Sequence, residues 1–191
     1  MVAAPQLIDN RYLLQGVIGR GGMGVVYQAL DRLHQRVVAL KQVSAEASSM
    51  WLNDSTTKGQ DFRMALAQEF KLSASLRHPN IIAVLDYGFG DDQQPYYTME
   101  LLPEPQTILE AARHVSSHER VGLLIQMLYA LAYLHRRGIV HRDLKPANVL
   151  VTDHRVKVLD FGLSTMHQQR DPQSPEHGAT VGTLAYMAPE V

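Results

Sequence analysis

The apolar pattern of this chain passes from short strand-like runs to helical spacing near Leu102–Pro105, and that change limits what it can fold into. Up to about Leu101 the apolar residues fall in short runs, Tyr12–Ile18, Val25–Leu30, Arg36–Gln42, Ile81–Tyr87 and Tyr96–Leu101. These runs are rich in β-branched and aromatic residues and are parted by Gly-rich or polar turns such as GRGGMG, DRLHQ and GFGDDQQP, so they read as antiparallel strands. One stretch breaks the pattern: in Asp61–Leu76, Phe62, Leu66 and Phe70 recur every four residues, which predicts a helix. Pro79 stops it, because proline disfavours helix at the residue before it. Beyond Leu102–Pro105 the spacing becomes helical, with a short helix over Thr107–His114 and a long one over Glu119–Arg137. The long one is apolar nearly all round and ends in Arg136-Arg137-Gly138. Short strands are expected again around Ile139, at Asn148–Thr152 and at Arg155–Leu159. The fold class is therefore α+β: a β-rich lobe with one helix, then a helix-rich lobe. The stretches Ser44–Gln60 and Leu163–Thr180 are polar and are expected to be loops, and there is no internal repeat.

Composition narrows the function classes. Hydrophobic residues make up 46% of the 191, enough for a core, and the formal net charge of -1 gives no support for nucleic-acid or membrane-surface binding. There is no cysteine, so disulfides and thiolate metal sites are excluded. The opening MVAAPQLIDNRYLL lacks the basic and apolar regions of a signal peptide. The most apolar stretch, Val121–Leu134, is too short to cross a bilayer and contains Gln126.

Four short motifs carry chemistry. Gly19-Arg20-Gly21-Gly22-Met23-Gly24-Val25-Val26 places glycines where a turn could approach a phosphate and point its N–H groups at it. They sit between two strands, and no helix or GK[ST] follows, which argues against a dinucleotide fold or a P-loop NTPase. Taken alone, an ordinary Gly-rich hairpin explains them equally well. Lys41 follows on an apolar strand, where it is either a solvated edge residue or a charge reaching for those phosphates. Glu69 borders the apolar stripe of the expected helix and is either solvated or an ion-pair partner for Lys41. In His141-Arg142-Asp143-Leu144-Lys145-Pro146-Ala147-Asn148, Asp143 could accept a proton from an attacking hydroxyl, Lys145 could neutralise a transferred group and Asn148 offers a neutral oxygen to a metal. Asp160-Phe161-Gly162 adds a carboxylate; Asp160 and Asn148 suit Mg²⁺, which takes one or two protein oxygens beside phosphate and water.

In this order GRGGMGVV, VALK, Glu69, HRDLKPAN, DFG and APE resemble the protein-kinase signature, from about Tyr12 to Glu190. The KPAN segment and Gly182-Thr183 resemble the serine/threonine branch, and HPNII with short connections resembles the bacterial eukaryotic-like kinases. The resemblance implies a two-lobe kinase fold with a tail at 1–11, a small lobe at 12–102 and part of a large lobe at 103–191. It implies ATP and Mg²⁺ as cofactors and phosphoryl transfer to serine or threonine of protein substrates. By motif, Ile18, Gly19, Arg20, Gly21, Gly22, Met23, Gly24, Val25 and Val26 would cover the nucleotide, and Lys41 would meet its α- and β-phosphates and pair with Glu69. Met99 would be the gatekeeper and Glu100 to Leu102 the hinge, with Val26, Ala39 and Leu150 around adenine. Asp143 would be the base, assisted by Lys145, with Asn148 and Asp160 on the metal. Arg142 before Asp143 implies regulation by a phosphate on the segment that holds Ser174 and Thr180, with autophosphorylation as a possible source. A cytoplasmic location follows from the same resemblance.

The chain departs from the family in three places. It stops one residue after APE, so the later helices of the large lobe, and the usual arginine partner of Glu190, are expected to be missing. That leaves a second reading, a truncated or pseudokinase-like ATP-binding scaffold without activity, and an exposed apolar patch on the long helix. Ser73 stands where a larger apolar residue is usual, and Ser44–Gln60 is longer than usual.

Overall fold

The structure, a computed structural model, describes residues 6–21, 24–44, 70, 71, 73–90, 93–160 and 184–186. The chain divides into two units. One comprises Met1–Ala74 and Ala83–Leu102, the other Ser75–Ile82 and Pro103–Val191.

The first unit is an antiparallel sheet of six strands: β1 (Leu7–Ile8), β2 (Tyr12–Gly21), β3 (Gly24–Asp31), β4 (Arg36–Val43), β5 (Val84–Phe89) and β6 (Pro95–Met99). Their spatial order is β1-β2-β3-β4-β6-β5, so the last two strands form a hairpin that enters with β6 against β4. Alternation of side chains sorts the strands into two faces. One face buries Ile8, Tyr12, Ala29, Val38, Leu40 and Tyr96 as a core, with Leu14, Tyr27 and Leu85 packed on it. Each large member removed from water contributes about 1.5–3 kcal/mol. Tyr12 and Tyr96 meet edge-on at 5.6 Å. An ionic tie closes the β1 end: the Arg11 guanidinium donates to Asp31 (2.8 and 2.9 Å) and also to Asp86, and His34 Nδ1 lies 2.8 Å from Asp31. The buried Asp31 carboxyl is held well below the usual carboxylate range, chiefly by Arg11.

The glycine turn enters β3 at Gly24. Its φ of 140 favours glycine, and a Cβ there would overlap the Gln42 carbonyl. Strand β2 runs on to Gly21, beyond the expected Ile18, with register shifts at Leu14/Gly16 and Val17/Gly19. Residues 1–11, read from the sequence as a tail, supply β1, whose Leu7 and Ile8 pair with Leu13 and Tyr12. Residues 70, 71 and 73–75 are helical and Leu76 is not; the rest of the helix expected over Asp61–Leu76 lies outside the described residues.

The second unit holds β7 (Gln106–Thr107), α1 (Ile108–Arg113), α2 (Ser117–His135), β8 (Val149–Thr152) and β9 (Arg155–Val158), with the three strands side by side in that order. Both helices start on a capping box. Thr107 caps α1 with Glu110 answering, and Ser116 caps α2 with Glu119 answering, which moves the start of α2 ahead of the expected Glu119. Helix α2 buries Leu123, Ala130 and Leu134, while Val121, Leu124, Ile125, Leu128 and Tyr129 are exposed. No strand forms at Ile139. Gly138 takes φ 73, and the Ile139 N–H closes on the Leu134 carbonyl at 3.0 Å, so this residue belongs to the helix stop. Ile81, expected to start a strand, forms a lone parallel bridge with Val158, and β5 begins at Val84.

A partly buried polar knot organises this unit. Asn80 Nδ2 donates to Gln126 Oε1 and to the Val156 carbonyl, each at 3.0 Å. Gln126 also accepts from the Val156 N–H (3.0 Å) and donates to the His154 carbonyl (3.1 Å). Nearby, the His78 and Tyr133 rings lie 5.0 Å apart, and the Tyr133 hydroxyl accepts from the Arg77 N–H. No helix among the described residues is long and apolar enough to cross a membrane.

Candidate active site

In the first unit, strand register alone gathers the predicted residues. Reading across β2, β3, β4, β6 and β5, one row runs Gly19, Val26, Lys41, Tyr97, Tyr87. The neighbouring row on the same face runs Gly16, Gln28, Ala39, Met99, Val84. Gly19, Val26, Lys41, Ala39 and Met99 therefore share one face, opposite the Tyr12–Leu40 core. Lys41 is no solvated edge residue: it sits on a central strand at 7% exposure. Its Nζ lies 5.8 Å from the centroid of the Tyr97 ring. Glu100 follows β6 and is fixed twice to one residue, its N–H on the Ala83 carbonyl (3.0 Å) and its carboxylate on the Ala83 N–H (2.9 Å). Ile18, Arg20 and Gly21 are exposed or partly so along β2, and Leu102 is half-buried past β6.

In the second unit, side-chain bonds gather the residues. The Asp143 N–H closes on the His141 carbonyl (2.9 Å) around Arg142, which is held at φ 63. His141 is buried, and its Nε2 donates to the Leu159 carbonyl (2.9 Å). Burial pushes its imidazole below the ordinary range, so it stays neutral near pH 7. Lys145 Nζ lies 2.7 Å from Asp143 Oδ2. Asn148, 7% exposed, donates Nδ2 to the Asp143 carbonyl (2.8 Å) and to Asp143 Oδ2 (3.2 Å). Pro146–Asn148 forms a 3-10 turn, and the Leu159 N–H bonds the Asn148 carbonyl (2.9 Å), setting Asp160 one residue from that contact. Asp160 takes φ 54. Left-handed backbone at Arg142 and Asp160 costs of order 1 kcal/mol each and persists only where neighbours enforce it. Leu150 is half-buried on β8, on the face opposite Val149 and Val151.

The donor set fits a magnesium ion. With its NH2 turned to Asp143, Asn148 keeps its amide oxygen as the donor atom, and Asp160 adds a carboxylate. No group of three or more His, Asp or Glu among the described residues could hold a metal alone. A short oxygen set of this kind suits an ion that also binds phosphate and water.

The model of the protein kinase domain matches residues 12–191. The chain belongs to the protein kinase family. It is 35% identical over 97% of its length to a probable serine/threonine-protein kinase of Streptomyces coelicolor, covering 27% of that protein. It is 35% identical over 96% of its length to the serine/threonine-protein kinase PknA of Mycobacterium tuberculosis, covering 42% of it. The chain thus spans less than half the length of these curated relatives. Among solved structures it resembles the PknI kinase domain of Mycobacterium tuberculosis, with TM-score 0.68 and 28% identity over 86% of this chain and 63% of that one. The relatives are bacterial serine/threonine kinases, and the fold is the kinase-like α+β fold expected.

Several residues of the kinase signature lie outside the described residues: Gly22, Met23, Glu69, Phe161, Gly162, Ser174, Thr180, Thr183 and Glu190. Two features near the described ones went unread in the sequence. Tyr97 faces Lys41 across 56 residues of chain, a pairing that no local pattern announces. Asn80 was read only as part of the HPN stop and the HPNII resemblance, although its amide ties β9 to α2.

Proposed function

We propose that this domain transfers the γ-phosphoryl group of ATP to serine or threonine hydroxyls of proteins. The observation that carries the reading is the Asp143 carboxylate, fixed by Lys145 at 2.7 Å and Asn148 at 3.2 Å. Asp143 orients the substrate hydroxyl and accepts its proton as the oxygen–phosphorus bond forms. The bond from the γ-phosphorus to the bridging oxygen breaks, and ADP leaves with that electron pair. Lys145 keeps a positive charge beside the transferred group. Lys41 meets the α- and β-phosphates, Ile18 to Val26 covers them, and Glu69 pairs with Lys41. Val26, Ala39, Met99 and Leu150 give the adenine an apolar surface, and the backbone of Glu100 to Leu102 bonds its edge. Asn148 and Asp160 would hold Mg²⁺, which would supply positive charge against the nucleotide phosphates. Arg142 receives a phosphate on Ser174 or Thr180 in the activated form. The proposed dependence on ATP supports a cytoplasmic setting for this chemistry.

The test is intact-mass measurement after incubation with Mg·ATP, with Asp143→Asn as control. A gain of one or more phosphates in the wild type alone supports transfer, and peptide mapping then tells whether Ser174 or Thr180 carries it. Nucleotide binding with no mass gain, on the chain itself or on an added protein substrate, would move the domain to the scaffold reading.

A further inference from the structure

We infer that Tyr97 is a positioning residue for Lys41: its ring face holds the ammonium group where the nucleotide phosphates are met. The inference rests on the proposed role of Lys41. Lysine carries a four-carbon stem and about 2 kcal/mol of rotamer entropy, so an unsupported ammonium samples many positions. Lys41 has two cross-strand neighbours on its own face, Val26 on β3 and Tyr97 on β6. Val26 is aliphatic and offers the charge nothing. Tyr97 is 4% exposed and presents a π face 5.8 Å from Nζ, inside the roughly 6 Å reach of a cation–π contact. Desolvation strengthens such a contact, and Lys41 is itself nearly buried.

The ring is in turn held still. Phe70 packs on Tyr97 at 5.2 Å and stacks on Tyr87 at 5.3 Å with the planes 15° apart. Phe70 is helical and follows Glu69, the expected partner of Lys41, directly in sequence. The adjacent Tyr96 points to the other face, into the Tyr12 core. The two tyrosines of Pro95–Met99 therefore do different work: Tyr96 packs the sheet and Tyr97 aims a charge.

The experiment is calorimetric titration of the full protein with Mg·ADP, with melting temperatures taken in parallel. Lys41→Met sets the scale for loss of the charge. Tyr97→Leu is expected to weaken binding roughly threefold to tenfold. Tyr97→Phe, which keeps the ring face, is expected to stay within about twofold of wild type. Tyr87→Leu removes a stacking partner of Phe70 but not the face over Lys41, so it should lower the melting temperature as much as Tyr97→Leu while leaving affinity near wild type. Unchanged affinity in Tyr97→Leu overturns the inference while the kinase reading stands, and so does equal loss in Tyr97→Leu and Tyr87→Leu, or in Tyr97→Phe and Tyr97→Leu. Wild type that binds Mg·ADP no better than Lys41→Met overturns the role of Lys41 and the inference with it.

Discussion

The two units place their functional groups by different means. In the first, backbone pairing does it: Gly19, Val26, Lys41 and Tyr97 fall in one row because four strands are in register. In the second, side chains do it: Asp143, Lys145 and Asn148 hold one another in a loop whose Arg142 is left-handed. A sheet row is supported by a ladder of bonds and a buried face, so it tolerates loss of any one side chain. A loop network has no such reserve, and each member depends on the others.

The most damaging break is Asp143→Asn. It removes the proposed proton acceptor and is expected to cut phosphoryl transfer by about 10²–10⁴-fold while the fold persists, as radiolabel transfer and a melting curve would show together. Lys41→Met comes next, with an expected loss of about 10²–10³-fold in kcat/KM for Mg·ATP; an intact circular dichroism spectrum beside that loss would show that the row survives without its charge. Damage to the sheet itself should appear in stability. Leu40→Ala empties a fully buried site on the opposite face and is expected to cost about 2–5 kcal/mol in urea unfolding. Asn80→Ala should cost less, about 1–3 kcal/mol, by leaving the Val156 carbonyl without its amide donor.

Acid should separate the units most gently. His141 and His78 are both lowered from the ordinary 6.5, chiefly by burial. As pH falls through about 6.5 the unfolded chain takes up protons that the folded histidines refuse, so stability falls. Asp31 in the first unit is lowered from 3.8, so its stabilisation is present above that pH and is lost only below it. Peptides from 139–160 should therefore lose hydrogen-exchange protection, after correction for intrinsic rates, at a pH where peptides from 11–43 keep theirs. The reverse order would break the comparison.

Much of this was legible in the sequence. Short runs rich in β-branched and apolar residues, the glycine turn and the 141–148 motif are local signals, readable along the chain itself. The cap of α2 was equally local, in Ser116 and Glu119, but the apolar run drew attention past it. What could not be read is pairing at a distance. Strand β6 lies against β4 although β5 comes between them in sequence, so the meeting of Lys41 with Tyr97 follows from a crossover and not from a pattern. Ile139 looked like a strand residue because it is β-branched and flanked by Val140, yet the glycine before it had already committed that peptide to ending a helix.

Gln126 was read from the sequence only as a blemish in an apolar run. Helix α2 is apolar on nearly every side, so hydrophobic burial barely distinguishes one rotation about its axis from another. An amide that accepts from Asn80 and Val156 and donates to His154 does distinguish them, because only one rotation satisfies all three bonds. This residue works as a keyway: the greasy shaft around it could turn, and one polar tooth sets the angle. Glutamate would lose the donor and methionine would lose both functions, so near-equal volume would not rescue the angle at which the helix meets β9.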